Sequence, residues 1–355
     1  MHRTQIPAAS LSLLRRGTVI PAHLLALDAN RRLDERRQRA MSRYYLDAGA
    51  GGLAVGVHST QFAIREKGLH KPVLELAMHE AQHWEPLGGR RPLFMIAGLA
   101  GPTAQAASEA ETARALGYHA GLLSLAALRG ADEDALIAHC RAVAEVMPLV
   151  GFYLQPAVGG LHLPVSFWRR FAAIDNVIAI KMAPFSRYRT LDVVRGVVEA
   201  GAEDRITLYT GNDDHIVLDL LAPLVLMREG QPVTVRIRGG LLGHWSVGTR
   251  RAVELLARIH EAVAADAVPM QLLALDGQVT DCNAALFDVD HDFRGCIAGC
   301  HEVLRRQGLL EGIWCLDPQE GLSPGQADAL SRVHDAYPHL HDDDFVAANL
   351  ARWLG

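Results

Sequence analysis

The chain has 355 residues, half of them hydrophobic and about a fifth charged, which is ordinary composition for a folded protein with one large core and argues against disorder. Its formal net charge of −5 excludes the basic electrostatic footprint of a nucleic-acid binder, so a small-molecule partner is expected. Met1 to Arg16 holds only the broken apolar stretch Ile6–Leu14, too short for a membrane span or signal peptide. The expectation is therefore a cytoplasmic protein without a membrane partner. Five cysteines, Cys140, Cys282, Cys296, Cys300 and Cys315, are an odd number in a large chain and predict reduced thiols.

Apolar segments of strand length recur along the chain, each followed by a helix-like stretch. The predicted strands are Thr18–Leu24, Gly52–Val57, Leu93–Ala97, Gly121–Leu125, Leu149–Leu154, Val177–Lys181, Ile206–Thr210 and Val233–Arg238. Helices with charged faces are predicted between them, among them Asp34–Asp47, Pro102–Leu116, Asp132–Met147 and Thr190–Ala200, with Ser246–Ala264 as the eighth. Alternating βα units imply parallel strands joined by right-handed crossovers, and eight of them close most economically into an α/β (β/α)8 TIM barrel. A doubly wound sheet competes, but Thr18-Val-Ile-Pro-Ala-His23 stands where a Gly-rich dinucleotide turn would open the first helix. The division expected is a barrel carrying the catalytic site over residues 1–264 and a C-terminal helical extension over 265–355.

Reactive groups of such barrels gather at the C-terminal ends of the strands, which places His23, His58, Gly98, Ser124, Tyr153, Lys181, Gly211 to Asp214 and Gly239 to His244 at one face. Strand alternation predicts that Lys181 and Tyr153 point inward from neighbouring strands. A lysine on a buried apolar strand loses hydration of its ammonium, so more free amine is available to attack a carbonyl. A tyrosine beside it can relay protons. The plainer readings are a strand-end lysine reaching solvent and a core aromatic with its hydroxyl at the rim.

Tyr153-Leu154-Gln155-Pro156 followed by Gly159-Gly160, then Asn176-Val177-Ile178-Ala179-Ile180-Lys181, then Leu208-Tyr209-Thr210-Gly211-Asn212-Asp213-Asp214 resembles the dihydrodipicolinate synthase / N-acetylneuraminate lyase family in order and spacing. Asp28 to Asp34 resembles its first strand-to-helix connection and Arg238-Gly239-Gly240 its eighth strand. The resemblance implies a class I aldolase-like enzyme without a cofactor or metal. It implies that Lys181 forms an imine with pyruvate or another 2-keto acid and that Tyr153 relays protons. It also places Gly211 and Asn212 near the substrate, and it implies a homodimer or homotetramer. The chain departs from the family's pattern at three places. Gly56-Val57-His58-Ser59-Thr60 replaces the Gly-Thr-Thr-Gly-Glu turn, so His58, Ser59 and Thr60 are the expected carboxylate holders. Ala157-Val158 stands where dihydrodipicolinate synthases carry an arginine, which points away from the lysine-biosynthesis substrates. Ser124 to Leu128 lacks the second tyrosine.

Other readings compete. His23, His58 and His244 at the strand ends invite a metal-dependent aldolase, yet they lie on separate strands without short ligand spacing. Cys296, Cys300 and His301 with Cys282 or Cys315 suggest zinc, against buried small thiols. Gly239-Gly240 and Gly243 suggest a phosphate cradle, against a close turn. His341-Asp342-Asp343-Asp344 reads as a solvated charge run or helix N-cap. A catalytically retired barrel that binds a ligand or partner, and a hydro-lyase using the same imine, are the functional alternatives.

Overall fold

The computed structural model describes all 355 residues. Nine strands form: β1 (Val19–Pro21), β2 (Ala54–Val55), β3 (Ile96–Leu99), β4 (Ala120–Leu123), β5 (Leu149–Tyr153), β6 (Val177–Met182), β7 (Thr207–Thr210), β8 (Pro223–Arg228) and β9 (Gln231–Leu242). Strands β1 to β7 and the second half of β9 pair in parallel in the order β1-β9-β7-β6-β5-β4-β3-β2. A parallel bridge from Ala22 to Ala54 brings β1 beside β2. The result is the expected (β/α)8 barrel.

The helices on its outside begin with α1 (Ala8–Arg16), which precedes the barrel, then α2 (Glu35–Ala48), α3 (His70–His83), α4 (Thr103–Leu116), α5 (Glu133–Val146), α6 (Val165–Ala172), α7 (Arg187–Glu199), α8 (Ile216–Leu221) and α9 (Thr249–Ala264). Their starts follow capping chemistry: Asp34, Asp132 and Ser186 each accept a hydrogen bond from the amide three residues on. Leu14 of α1 and nearby Ile6 belong to the apolar cluster inside the barrel, and the Tyr209 hydroxyl donates to the Leu14 carbonyl, 2.8 Å away. The N-terminal segment thereby closes one end of the barrel, and the site lies at the other.

The eighth barrel strand is longer than the expected Val233–Arg238. Its first half pairs antiparallel with β8 in a hairpin that strand spacing alone did not suggest. Glu229 and Gly230 both have positive φ (51° and 79°), the two-residue hairpin turn whose twist suits the flanking strands.

Four helices follow the barrel: α10 (Met270–Phe287), α11 (Cys296–Arg306), α12 (Gln326–Ala336) and α13 (Asp343–Leu354). An 80-residue apolar cluster runs unbroken from Val19 to Trp353, so these helices share the barrel's outer core. In the acidic run at the start of α13, Asp344 is exposed and Asp343 half-buried, but Asp342 is not solvated. Asp342 is buried, accepts from the Tyr44 hydroxyl at 2.7 Å, and takes the backbone amides of Arg250 and Arg251 at 2.7 and 3.0 Å, capping the first turn of α9.

Asp47 at the end of α2 anchors α13. Its carboxylate accepts from the indoles of Trp84 (3.0 Å) and Trp353 (2.6 Å) and from the Leu87 amide (2.9 Å), and pairs with Arg352. Asp47→Ala strands a buried donor set and one half of an ion pair, which costs about 3 kcal/mol. Urea unfolding should show that loss, and hydrogen exchange should show faster opening of α13 than of α2.

Candidate active site

β6 is buried along its whole length, and Lys181 near its end is only 7% exposed. The pairing of β5 with β6 decides what stands beside it. Leu149 pairs with Val177, but Val150 pairs with Ala179, so β6 carries one extra residue at that point. Such a bulge moves every later pairing by one position and reverses which face meets which. Lys181 is therefore opposite Phe152, and its Nζ lies 4.6 Å from the centre of the Phe152 ring.

The inward placement expected for Tyr153 is corrected by this register. Tyr153 faces outward, its ring 5.3 Å from that of Trp168 on α6 and its hydroxyl accepting from the Leu163 amide at 3.3 Å. Tyr153→Phe removes one long neutral hydrogen bond, so turnover should stay within about 3-fold of wild type. A proton relay through this hydroxyl would instead cost about 100-fold or more in kcat.

Lys181 stands in the wall of a cavity of about 630 Å³ at the C-terminal end of the barrel. His58, Ser59, Phe152, Gly211 and Asp213 share that wall. Burial lowers the Lys181 amine to about 8, while the nearby Asp213 carboxylate acts in the opposite direction. Asp213 is itself buried and is pushed up to about 7 by desolvation, against the His244 amide, which donates to it at 2.9 Å, and the Lys181 charge. Amine and acid are both shifted toward their neutral forms near neutral pH. The His58 imidazole is lowered to about 4 by burial and by Lys181, so it is an uncharged hydrogen-bonding group.

The remaining expected site residues separate. Gly211 lines the cavity, and an added Cβ there would lie 2.5 Å from Lys181 Cε, so only glycine leaves the lysine its place. Asn212 does not reach the cavity: its amide nitrogen donates to Thr190 and Asp219 and its oxygen accepts from the Phe185 amide. Thr60 is also committed elsewhere, donating to the His23 carbonyl at 2.6 Å and accepting from the Gly56 amide at 3.0 Å. Both polar side chains are consumed by the loops that carry the site. Of the three residues after β2 expected to hold a carboxylate, His58 and Ser59 remain.

The histidines of the metal reading are not gathered. His23 is bound to Ser42 and the Leu24 carbonyl, both at 2.8 Å, and His244 lines a different cavity. No three His, Cys, Asp or Glu side chains converge as a metal set. Cys296 and Cys300 line the Lys181 cavity from α11, and burial pushes their thiols up, Cys296 to about 12. Gly239 and Gly240 sit inside β9, where a Cβ would strike the Thr18 backbone or the Trp245 ring. Close packing accounts for them.

Sequence reasoning passed over Asp213 and the apolar roof. Asp213 stood in the Gly211 to Asp214 segment after β7, a strand-end position for a reactive group. The roof had no comparable signal. Phe287 at the end of α10, Phe293 in the following connection and Phe185 after β6 pack together, with ring centres 5.5 and 6.4 Å apart, and α11 completes the cover. The C-terminal helices thus roof part of the cavity, which limits water on that side and strengthens the electrostatics beneath it.

Comparison with known proteins agrees with this architecture. No curated protein sequence matches the chain. Among solved structures, CdNal from Clostridium difficile in complex with mannosamine superimposes with a TM-score of 0.71 at 14% identity, over 90% of this chain and 99% of that one. The dihydrodipicolinate synthase from Acinetobacter baumannii complexed with pyruvate gives 0.72 at 18%, over 90% and 98%. N-acetylneuraminate lyase from Fusobacterium nucleatum gives 0.69 at 15%, over 91% and 99%. These likenesses carry the fold. No helix is long and apolar enough to cross a membrane. The Dihydrodipicolinate synthetase family matches residues 15–223, more than half of the chain and the stretch that contains Lys181 and Asp213, so this protein belongs to that family, a membership that supports class I aldolase or lyase chemistry.

Proposed function

We propose that the protein is a Schiff-base-forming lyase or aldolase that acts on pyruvate or another 2-keto acid, with substrates other than the lysine-biosynthesis pair, and that it works as a homodimer or homotetramer. The observation that carries the reading is the buried Lys181 amine, lowered to about 8, beside an Asp213 carboxyl raised to about 7 in a partly roofed cavity. An amine so placed is about one-tenth free of its proton at pH 7, far more than an ordinary lysine, and that free amine can attack a keto carbon. A carboxylic acid with a value near 7 can protonate the carbinolamine hydroxyl so that it leaves as water, and the resulting carboxylate can take a proton back.

In this reading Lys181 Nζ forms the bond to the keto carbon, Asp213 moves the proton, and His58 and Ser59 hold the substrate carboxylate with their amides and side chains. The imine draws in the electron pair released when the bond to the third carbon breaks, giving an enamine instead of a free carbanion. The absent arginine after Pro156 and the outward Tyr153 support a proton route and an acceptor pocket unlike those of dihydrodipicolinate synthases. Borohydride reduction in the presence of pyruvate and a panel of 2-keto acids, followed by peptide mass mapping, tests the reading. A reduced adduct on Lys181 is expected. Failure of every acid to give one would leave a ligand-binding barrel as the better description.

A further inference from the structure

A second cavity, of about 1100 Å³, lies between the loop after β9 and helices α10 to α13. The two cavities share that loop, since Gly243 lines the catalytic one and His244 the other. Most of the second wall is apolar, supplied by residues such as Val247, Leu286, Val303, Leu330 and Leu340.

Three polar atoms in this wall are fully buried and have no partner within the chain: His244 Nδ1, Gln307 Oε1 and His341 Nε2. Buried polar atoms are ordinarily paired, and three orphans on residues that line one cavity are an unusual concentration. Their chemistry restricts what could pair with them. Gln307 Nε2 donates to Asp343 Oδ1 at 2.8 Å, which fixes the amide so that Oε1 can only accept. A partner must therefore donate to it. Burial lowers both imidazoles, His244 to about 4, which favours the neutral ring, and the free nitrogen of a neutral ring donates or accepts according to its tautomer. A hydroxyl group can meet either case by rotation.

No unpaired charge is buried in the wall. Asp343 is bonded to His334 Nε2 at 2.5 Å, and His334 stacks on His341 with ring centres 4.8 Å apart. Arg306 shares the Glu302 carboxylate with Arg305, which leaves one positive charge in excess, but it is a solvent-exposed rim residue also bound to Ser331 and the Ala327 carbonyl. A charged ligand inside the cavity would therefore be desolvated without a buried counter-ion.

We propose that this cavity is a binding site for a neutral polyhydroxylated small molecule, whose hydroxyls engage His244, Gln307 and His341 while its carbon face lies on the apolar wall. The His244 amide that holds Asp213 links the site to Lys181, and this link rests on the aldolase reading.

Isothermal titration with glucose, mannitol and myo-inositol, and with gluconate and glucosamine as charged counterparts, tests the site directly. Saturable binding of at least one neutral probe is expected. It should weaken at least about ten-fold in Gln307→Leu and in His341→Phe, and should persist in Lys181→Met. Either of the two cavity variants suffices if the other does not fold. A crystal soaked with the bound probe, with density between α11 and the β9 loop, checks the location without mutation. The site is overturned if no neutral probe binds, if a charged counterpart binds more tightly, or if binding survives both cavity variants and disappears in Lys181→Met. For the link, saturating probe should change the rate of borohydride trapping at Lys181 at least about two-fold, and an unchanged rate overturns it. Absence of trapping with no probe present counts against the aldolase reading alone, and the calorimetric outcome still decides the site.

Discussion

Lys181→Met removes turnover, by at least about a thousand-fold in kcat, because no other amine lines the cavity and the electron sink goes with it. The same change should leave the fold more stable at pH 6. The lysine's value in the folded protein lies below its ordinary 10.5, so below about pH 8 folding must bury a cation. That cost is absent above the unfolded value and grows as pH falls from 10.5 to 8, after which it is constant. Methionine fills a similar volume without it, and Asp213 is protonated at pH 6, so no unpaired charge is left behind. The gain should be on the order of 2 kcal/mol. Tm and kcat measured on one preparation check both halves, and a variant that loses stability along with activity would point to a structural ion pair.

Asp213→Asn should lower kcat by about 100-fold or more, since asparagine keeps the hydrogen bond from the His244 amide but cannot transfer a proton. Its pH profile is the more specific readout. The wild-type rate should rise with pH as the Lys181 amine loses its proton and fall again as the Asp213 acid loses its own, with limbs near 7 and 8. In the variant the falling limb disappears. The rate instead climbs to a plateau through the Lys181 value alone, which lies below its wild-type value because the carboxylate that raises it is gone. A profile that keeps the wild-type shape would remove Asp213 from the proton route.

The parts of this molecule that were legible in the sequence are those governed by local pattern. Apolar strand segments alternating with charged helices specified the barrel, and the position of Lys181 at the end of the sixth such segment specified its burial at the C-terminal face. Tyr153 is different. Regular alternation through β6 would set it beside Lys181, but Ile178 and Ala179 both join the cluster inside the barrel. One extra residue at that step exchanges Tyr153 for Phe152 beside the lysine. A bulge is set by how two strands meet, and nothing in either strand read alone announces it.

Thr60 and Asn212 show a second limit. Their side chains are of the right type for substrate binding and lie in the right loops, yet Thr60 bonds the His23 carbonyl and Asn212 bonds Thr190, both far off in the chain, and Asp219 on the following helix. Which polar groups remain free is settled only when all the loops are in place. The roof over the cavity depends on the same assembly. Phe287 and Phe293 belong to the helices after the barrel, whose pattern says that they are helical but not what they cover.

By itself, then, the sequence determined the barrel, the strand-end face and the buried lysine, because each follows from periodicity and from the desolvation of one side chain. The neighbours of that lysine, Phe152 and Asp213, and the closure of its cavity were decided by tertiary structure, because register and long-range packing are properties of pairs of segments.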